Sequence, residues 1–257
     1  MLLTSDIGNT NITLGLFEGD EFKEELRIPS DRDMSGAEYE SLLRSLLKDY
    51  SIDSCVVGSV VEELNEKFIN SIKNIFGIEP LFVSTDINLG IKVVTDRPNE
   101  VGADRIANAS GASRLYKTPI IVVDFGTATS FDILNEKGEF MGGVIAPGIN
   151  LQMKSLNKFT SKLPRIDAAI SSRAIGTNTT EAILSGVIRG SAAMIDGLVS
   201  QCEEELGQKV TLVATGGYSG LIANYLKRPF DCINPILTLE GLKHIYSLNA
   251  KKDVKTI

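Results

Sequence analysis

Apolar positions along the chain fall into short alternating runs and longer stripes at helical spacing. Leu2–Ser5 reads as a strand, and after Asp6-Ile7-Gly8-Asn9-Thr10 the apolar positions resume at Ile12, Leu14, Leu16 and Phe17. A turn at Gly19-Asp20 then returns the chain along Phe22–Ile28. Alternation on both sides of a glycine-containing turn predicts hairpins. Ala37–Tyr50, with Leu42, Leu43, Leu46 and Leu47, predicts a helix, as does Glu62–Phe76 with Leu64, Phe68, Ile72 and Ile75. Between them Ser54–Val60 is a buried strand, and Leu81–Ser84 is a short one.

The same unit returns further along. Ile120–Val123 is a strand that ends in Asp124-Phe125-Gly126-Thr127-Ala128-Thr129; Phe131, Ile133 and Leu134 follow, then a turn at Lys137-Gly138 and a return along Phe140–Ile145. A helix over about 148–157, a strand Val210–Ala214, a helix Ser219–Lys227 and a strand Phe230–Asn234 complete the second copy. Helices Ala103–Tyr116 and Glu181–Leu206 fill the remaining places. The order β-β-β-α-β-α-β-α, twice, predicts an α/β protein with mixed sheets. It resembles the actin, Hsp70 and sugar-kinase superfamily, which implies two similar ribonuclease H-like domains, each a five-stranded mixed sheet with flanking helices, and nucleotide in an interdomain cleft. The expected division is residues 1–117, with the first phosphate box, and 118–257, with the second box and an adenosine-side glycine turn. A single doubly wound domain does not suit two Asp-x-Gly boxes that each open a hairpin.

Bulk composition narrows the function. The 257 residues are 43% hydrophobic and carry net charge −7. An acidic chain without a basic stripe is a poor nucleic-acid binder, because phosphate neutralisation supplies most of that affinity. Phosphate must then be held locally, by backbone N–H groups and a cation. Lys251, Lys252 and Lys255 read as a solvated tail. Cys55, Cys202 and Cys232 are far apart with no CxxC pair, which predicts neither disulfides nor zinc and suits a reducing compartment. Cys55 reads as a buried strand residue. His244 is the only histidine, so a histidine metal cluster is excluded, and its helical context predicts a structural role. With no secretory signal and no apolar stretch near the ~20 residues of a span, the expected location is the cytoplasm, without membrane.

The two boxes carry candidate chemistry. Gly8 and Gly126 let the backbone turn tightly and approach an anion without a Cβ in the way. The surrounding N–H groups and the hydroxyls of Thr10, Thr127 and Thr129 can donate to phosphate oxygens. Asp6 and Asp124 would repel phosphate, so they read as ligands of a cation, Mg²⁺ or a monovalent ion. One such box is also an ordinary turn; two in matching places are not explained so. Thr215-Gly216-Gly217-Tyr218-Ser219-Gly220 joins a strand to a helix and suits a nucleotide, although a close-packed turn would look the same. It lacks the GxGxxG spacing and the acidic partner of a dinucleotide site. Gly142-Gly143-Val144-Ile145-Ala146-Pro147-Gly148 is of the same kind.

Glu100-Val101-Gly102-Ala103-Asp104-Arg105 opens a helix, where the dipole favours a carboxylate in the first turn. Alone, that is an ordinary helix start. Between the two boxes, and followed by Thr-Asn-Thr-Thr at 177–180, Ala-Thr-Gly-Gly at 214–217 and Leu-Thr-Leu-Glu-Gly-Leu at 237–242, it resembles type III pantothenate kinase over essentially the whole chain. The resemblance implies an ATP-dependent kinase of pantothenate, with Asp104 as the general base that takes the proton of the primary hydroxyl. It assigns Gly102, Ala103, Asp104, Arg105 and Thr179 to the pantothenate pocket. Asp6, Ile7, Gly8, Asn9, Thr10, Asn11, Ile12 and Thr13 become the first phosphate segment, Thr127 an ATP contact, and Gly216 and Gly217 the adenosine side. Asp124 becomes a ligand of K⁺ or NH₄⁺, with Asp6 the second metal-site carboxylate beside Mg²⁺. Homodimers whose partner completes the pantothenate site are also implied. Two departures stand out: Thr95, before Asp96-Arg97-Pro98, where the family often has an aromatic, and Ser59-Val60-Val61-Glu62 in place of Ser-Val-Val-Pro. The rival readings are a phosphatase or other phosphotransferase of the superfamily, and a non-catalytic regulator on the same scaffold.

Overall fold

The computed structural model describes residues 1–250; Lys251, Lys252 and Lys255 lie outside the described residues. The chain forms two compact units. Of the described residues, the first holds Met1–Lys92, Asp96–Arg114 and 237–250; the second holds Val93–Thr95 and Leu115–Ile236. Instead of one break at 117/118, the chain parts at Arg114/Leu115, and its last helix packs with the first unit.

In the first unit, β1 (Leu2–Ile7), β2 (Asn11–Glu18), β3 (Glu21–Pro29), β4 (Ser54–Ser59) and β5 (Leu81–Phe82) form one sheet in the order β3-β2-β1-β4-β5. β1 is antiparallel to β2 and parallel to β4. Alternation along β1 sorts its side chains. Leu3 and Ile7 join Cys55, Val57, Tyr39, Leu43, Leu64, Phe68 and Ile72 in the core under α1 (Gly36–Leu46) and α2 (Glu62–Phe76). Burial pushes the Cys55 thiol up to about 12, so it is an inert core residue. α1 starts at Ser35, whose Oγ accepts the Glu38 N–H while the Glu38 carboxylate accepts the Ser35 N–H. It stops at Leu46 rather than continuing to Tyr50, and β5 keeps two residues of the expected four.

The opposite face of this sheet carries Thr4, Gly15 and Gly58. There α8 (Leu237–Asn249) lies across the strands: a Cβ on Gly15 would stand 2.9 Å from Leu239 Cδ1, and one on Gly58 2.9 Å from Leu242 Cδ2. α8 crosses α3 (Ala103–Leu115) at a contact of small residues, where a Cβ on Gly241 would stand 1.8 Å from the Ala107 carbonyl oxygen. This explains why α3 lacks an apolar stripe: Ala103, Ala107, Ala109, Gly111 and Ala112 are buried for their size. His244 on α8 packs its Nε2 against Gly90, and burial, with Arg114 nearby, holds its pKa below the ordinary value. Both disfavour the charged form of the ring.

The second unit repeats the plan. β6 (Ile120–Phe125), β7 (Ala128–Leu134), β8 (Phe140–Pro147), β9 (Thr211–Gly216) and β10 (Cys232–Ile233) form a sheet in the order β10-β9-β6-β7-β8, the same arrangement read from the other edge. Its core joins Ile121, Val123, Phe131, Leu212 and Ala214 to α4 (Ile149–Lys158) and to one long helix. That helix runs as α5 (Thr179–Leu184), a π-helical turn Ser185–Arg189, and α6 (Gly190–Leu206). Contrary to the expectation that no stretch suits a membrane, Thr179–Leu206 is long and apolar enough to span one. Here Ile183, Val187, Ile188, Ala192, Ile195 and Val199 spend that apolarity on the core. α7 is only Ser219–Ala223, shorter than the expected Ser219–Lys227.

Candidate functional site

In the first unit the candidate residues gather at the carboxyl ends of the parallel strands β1 and β4. The chain leaves β1 at Ile7, turns through Gly8-Asn9-Thr10 and re-enters at Asn11, with the Gly8 N–H donating to the Asn11 carbonyl at 3.0 Å. Asp6 pairs with Gly58 of β4 and Thr13 of β2, so its side chain shares their face of the sheet. α3 begins on that face: a Cβ on Gly58 would stand 3.5 Å from the Ala103 Cβ. Asp6, Thr13 and the start of the Gly102–Arg105 motif thus share one face at one end of the sheet. Ile7 and Ile12 point the other way into the core, fully buried, so of the first phosphate segment they can offer only backbone.

Asp104 sits in the first turn of α3, whose Ile106 N–H donates to the Gly102 carbonyl at 3.1 Å. The Arg105 N–H donates to Asp104 Oδ1 at 2.8 Å. Gly102 is glycine for a local reason: a Cβ there would stand 2.5 Å from Asp104 Oδ1 and 3.2 Å from Val60 Cγ1. Burial raises the Asp104 pKa above its ordinary value, against the pull of the Arg105 N–H and charge. The result is a carboxylate more basic than an exposed one, as a proton acceptor requires.

In the second unit, Asp124, the penultimate residue of β6, stands opposite Ser130 of β7 and Thr215 of β9. Its carboxylate lies beside two glycines. A Cβ on Gly216 would stand 2.7 Å from Asp124 Oδ1, and one on Gly126 3.8 Å from it. Gly216 also has φ +84, a conformation side chains avoid. Gly148 closes the turn from the other side, donating to the Thr127 carbonyl at 3.2 Å, with the Gly126 and Thr127 carbonyl oxygens 2.6 and 2.3 Å from where its Cβ would be. Thr127 and Gly217 are exposed and Thr129 is buried. The oxygen of a carboxylate such as that of Asp124 or Asp6 is a hard donor of the kind that suits K⁺, NH₄⁺ or Mg²⁺. Among the described residues no group of three or more His, Cys, Asp or Glu could hold a metal, so a cation held there would need oxygens from beyond the carboxylates.

Thr179 is exposed in the first turn of α5, whose Asn178 cap accepts the Glu181 N–H at 2.9 Å. Thr95 falls in the second unit, beside Gly142 of β8, while Gly102–Arg105 belong to the first. Two residues that no motif flagged reach the first turn. Ser30 Oγ donates to the Gly8 carbonyl at 2.5 Å, and Arg32 Nη2 donates to Asn9 Oδ1 at 3.0 Å. They are twenty residues from the box in sequence and next to it only because β3 folds back on β2.

Two sheets of one strand order, each with an Asp-x-Gly turn between its first two strands, define an actin-like ATPase fold. Solved structures agree. A Campylobacter jejuni protein assigned to the Baf family of transcriptional activators superposes with TM-score 0.63 at 21% identity, covering 95% of this chain and 97% of that one. Component A of the (R)-2-hydroxyglutaryl-CoA dehydratase of Acidaminococcus fermentans gives 0.53 at 14% identity, covering 95% and 96%. At such identities the likeness concerns the fold alone. The family model described as type III pantothenate kinase matches residues 2–201. The type III pantothenate kinase of Dehalococcoides mccartyi strain CBDB1 is 44% identical over 253 residues, covering 96% of each chain. That of Moorella thermoacetica is 41% identical over 254 residues, covering 97% of this chain and all of its own. The chain belongs to the type III pantothenate kinase family.

Proposed function

We propose that this protein is a pantothenate kinase that transfers the γ-phosphoryl group of ATP to the primary hydroxyl of pantothenate, giving 4'-phosphopantothenate in the first step of coenzyme A biosynthesis. The observation that carries the reading is the shared face of the first unit's sheet. Asp104 opens α3 there, at the end where the phosphate turn Gly8–Thr10 leaves β1. A proton acceptor and a phosphate cradle on one rigid edge are what transfer to an alcohol needs, since positioning and charge neutralisation do most of the work.

In the proposed reaction the pantothenate hydroxyl oxygen forms a bond to the γ-phosphorus as the bond from that phosphorus to the β,γ-bridging oxygen breaks. The hydroxyl proton passes to Asp104, and ADP leaves with the bond's electrons. Gly102, Ala103, Arg105 and Thr179 line the pantothenate side, which the partner of a homodimer completes. Asp6–Thr13 hold phosphate, Thr127 contacts ATP, and Gly216 and Gly217 lie against adenosine. Bound at Asp124 and Asp6, K⁺ or NH₄⁺ and Mg²⁺ would neutralise phosphate charge. The cytoplasm, where ATP is available, is the proposed location.

The test is a coupled ADP-release assay with pantothenate, Mg-ATP and K⁺, repeated with Na⁺ in place of K⁺. Turnover is expected to require both pantothenate and K⁺. ATP hydrolysis indifferent to pantothenate would overturn the reading in favour of a phosphatase. A second expected result concerns Gly216→Ala. The added Cβ would push on the Asp124 carboxylate and on the Phe125 main chain at 2.7 Å. The variant should need at least several-fold more K⁺ for half-maximal rate and lose roughly 1–3 kcal/mol of stability. A K⁺ titration and a thermal melt read the two effects, and unchanged K⁺ dependence would remove Asp124 from the cation site.

A further inference from the structure

The first phosphate turn is gripped from the side by the segment that follows β3. After β3, residues 30–34 cross the mouth of the β1–β2 turn. Ser30 holds it at two points: its Oγ donates to the Gly8 carbonyl at 2.5 Å and its N–H to the Thr10 carbonyl at 3.0 Å. Because the peptide group is planar and trans, tying the Gly8 carbonyl inward aims the Asn9 N–H to the opposite side. Ser30 therefore fixes the direction in which the turn offers a donor.

The segment itself is braced. The Asp31 N–H donates to Tyr39 Oη, which donates to the Asp31 carbonyl, both at 2.9 Å; Tyr39 is buried in α1. Lys67 of α2 donates through Nζ to the carbonyls of Arg32 at 2.7 Å and Met34 at 3.0 Å. Two helices thus hold the backbone on either side of Arg32, while its side chain is exposed at the turn and donates one hydrogen bond, to Asn9 Oδ1. Arg32 forms no ion pair among the described residues, although Asp31 and Asp33 flank it. Asp31 turns its carboxylate to the Asp33 N–H at 2.9 Å. A braced backbone, a guanidinium without a carboxylate and a glycine turn with a directed N–H come together at one point. In a chain of net charge −7, phosphate needs a local protein cation, and a guanidinium meets phosphate oxygens with paired donors.

We propose that Arg32 is a nucleotide-phosphate-binding residue of the first turn and that Ser30 is the positioning residue that aims the turn's backbone donor. The proposal rests on the reading that this turn holds ATP phosphates, and it deepens that reading. The test measures Mg-ATP binding to the full chain by calorimetry without pantothenate, so that it does not depend on the acceptor. Arg32→Gln is expected to weaken Mg-ATP binding by at least about tenfold and to flatten its salt dependence, with Arg32→Lys recovering part of the loss. The melting temperature should hold, since the Asn9 bond is exposed, and KM for pantothenate should stay within about twofold. Ser30→Ala should weaken Mg-ATP binding by several-fold, and Ser30→Thr, which keeps the hydroxyl, should restore it. Unchanged Mg-ATP affinity in Arg32→Gln overturns the proposal. So does an equal loss in Arg32→Lys and Arg32→Gln with a lowered melting temperature, which would make Arg32 a mere prop for Asn9. Wild-type binding of Mg-ATP that Arg32→Gln weakens, without pantothenate turnover, would support the anchor and sink the substrate reading. No wild-type binding of Mg-ATP would sink both.

Discussion

Replacing Asp104 by Asn is expected to lower kcat by about 10²–10⁴-fold, the usual worth of a positioned general base, while leaving Mg-ATP affinity nearly unchanged. The amide keeps the size of the side chain and an oxygen for the Arg105 N–H that Oδ1 now accepts at 2.8 Å. What it loses is the capacity to take the hydroxyl proton. The pH profile supplies an independent check. A base must be ionised, so kcat/KM in the wild type should fall as pH drops through the folded pKa of Asp104, and burial puts that value above the ordinary 3.8. Stability should move in the opposite sense. A carboxyl whose folded pKa is raised has its stabilising share fully present below 3.8 and loses it as pH rises through the folded value. Asp104→Asn carries no such loss, so near neutral pH it should melt at the wild-type temperature or above. A variant that retains near-wild-type kcat would end the role of Asp104 as base. One that melts well below wild type would mean the carboxylate is structural.

The largest expected effect on stability is at Gly241. Its Cα faces the backbone of α3 so closely that an alanine Cβ would stand 1.8 Å from the Ala107 carbonyl oxygen and 2.6 Å from its carbonyl carbon. Backbone in the middle of a helix cannot yield as a side-chain tip can, so the two helices must part. Leu237, Leu239, Leu242 and Ile245 on α8 are buried to 2% exposure or less, and parting the helices disturbs all of that packing. Gly241→Ala should cost roughly 3 kcal/mol or more, at the upper end for an overpacked core. At about 2–4 °C per kcal/mol for a chain of this size, the melting temperature should fall by roughly 6–12 °C. Gly197→Ala is the control. It lies on the exposed side of α6 with nothing within 4 Å of the added Cβ, and replacing a mid-helix glycine should leave stability unchanged or raise it by up to about 1 kcal/mol. Equal melting temperatures for both variants would refute the close approach of α3 and α8.

Gly241 and Arg32 mark the limit of what the chain could tell before it was folded. The sequence by itself determined the paired strand-turn-strand units, because alternation of period two and a glycine at each turn are local properties. It determined α2 to the residue, from an apolar stripe that begins after β4 and ends at Gly77, whose φ is +68. It also put both Asp-x-Gly boxes at hairpin tips and Asp104 in a first helical turn. Short elements were harder: β5, β10 and α7 are stabilised by their neighbours rather than by their own pattern, so their ends could not be read from it. Three things only the tertiary structure decided. α8 belongs with the first unit because Gly15 and Gly58 leave space on that sheet for Leu239 and Leu242, a match between residues about two hundred positions apart. The apolarity of Thr179–Leu206 serves a core rather than a bilayer because one face meets a sheet. Ser30 and Arg32 reach the phosphate turn because β3 pairs with β2 in a register that sets Pro29 opposite Asn11. Local periodicity carries none of these, since each depends on which distant surface a residue meets once the chain has closed on itself.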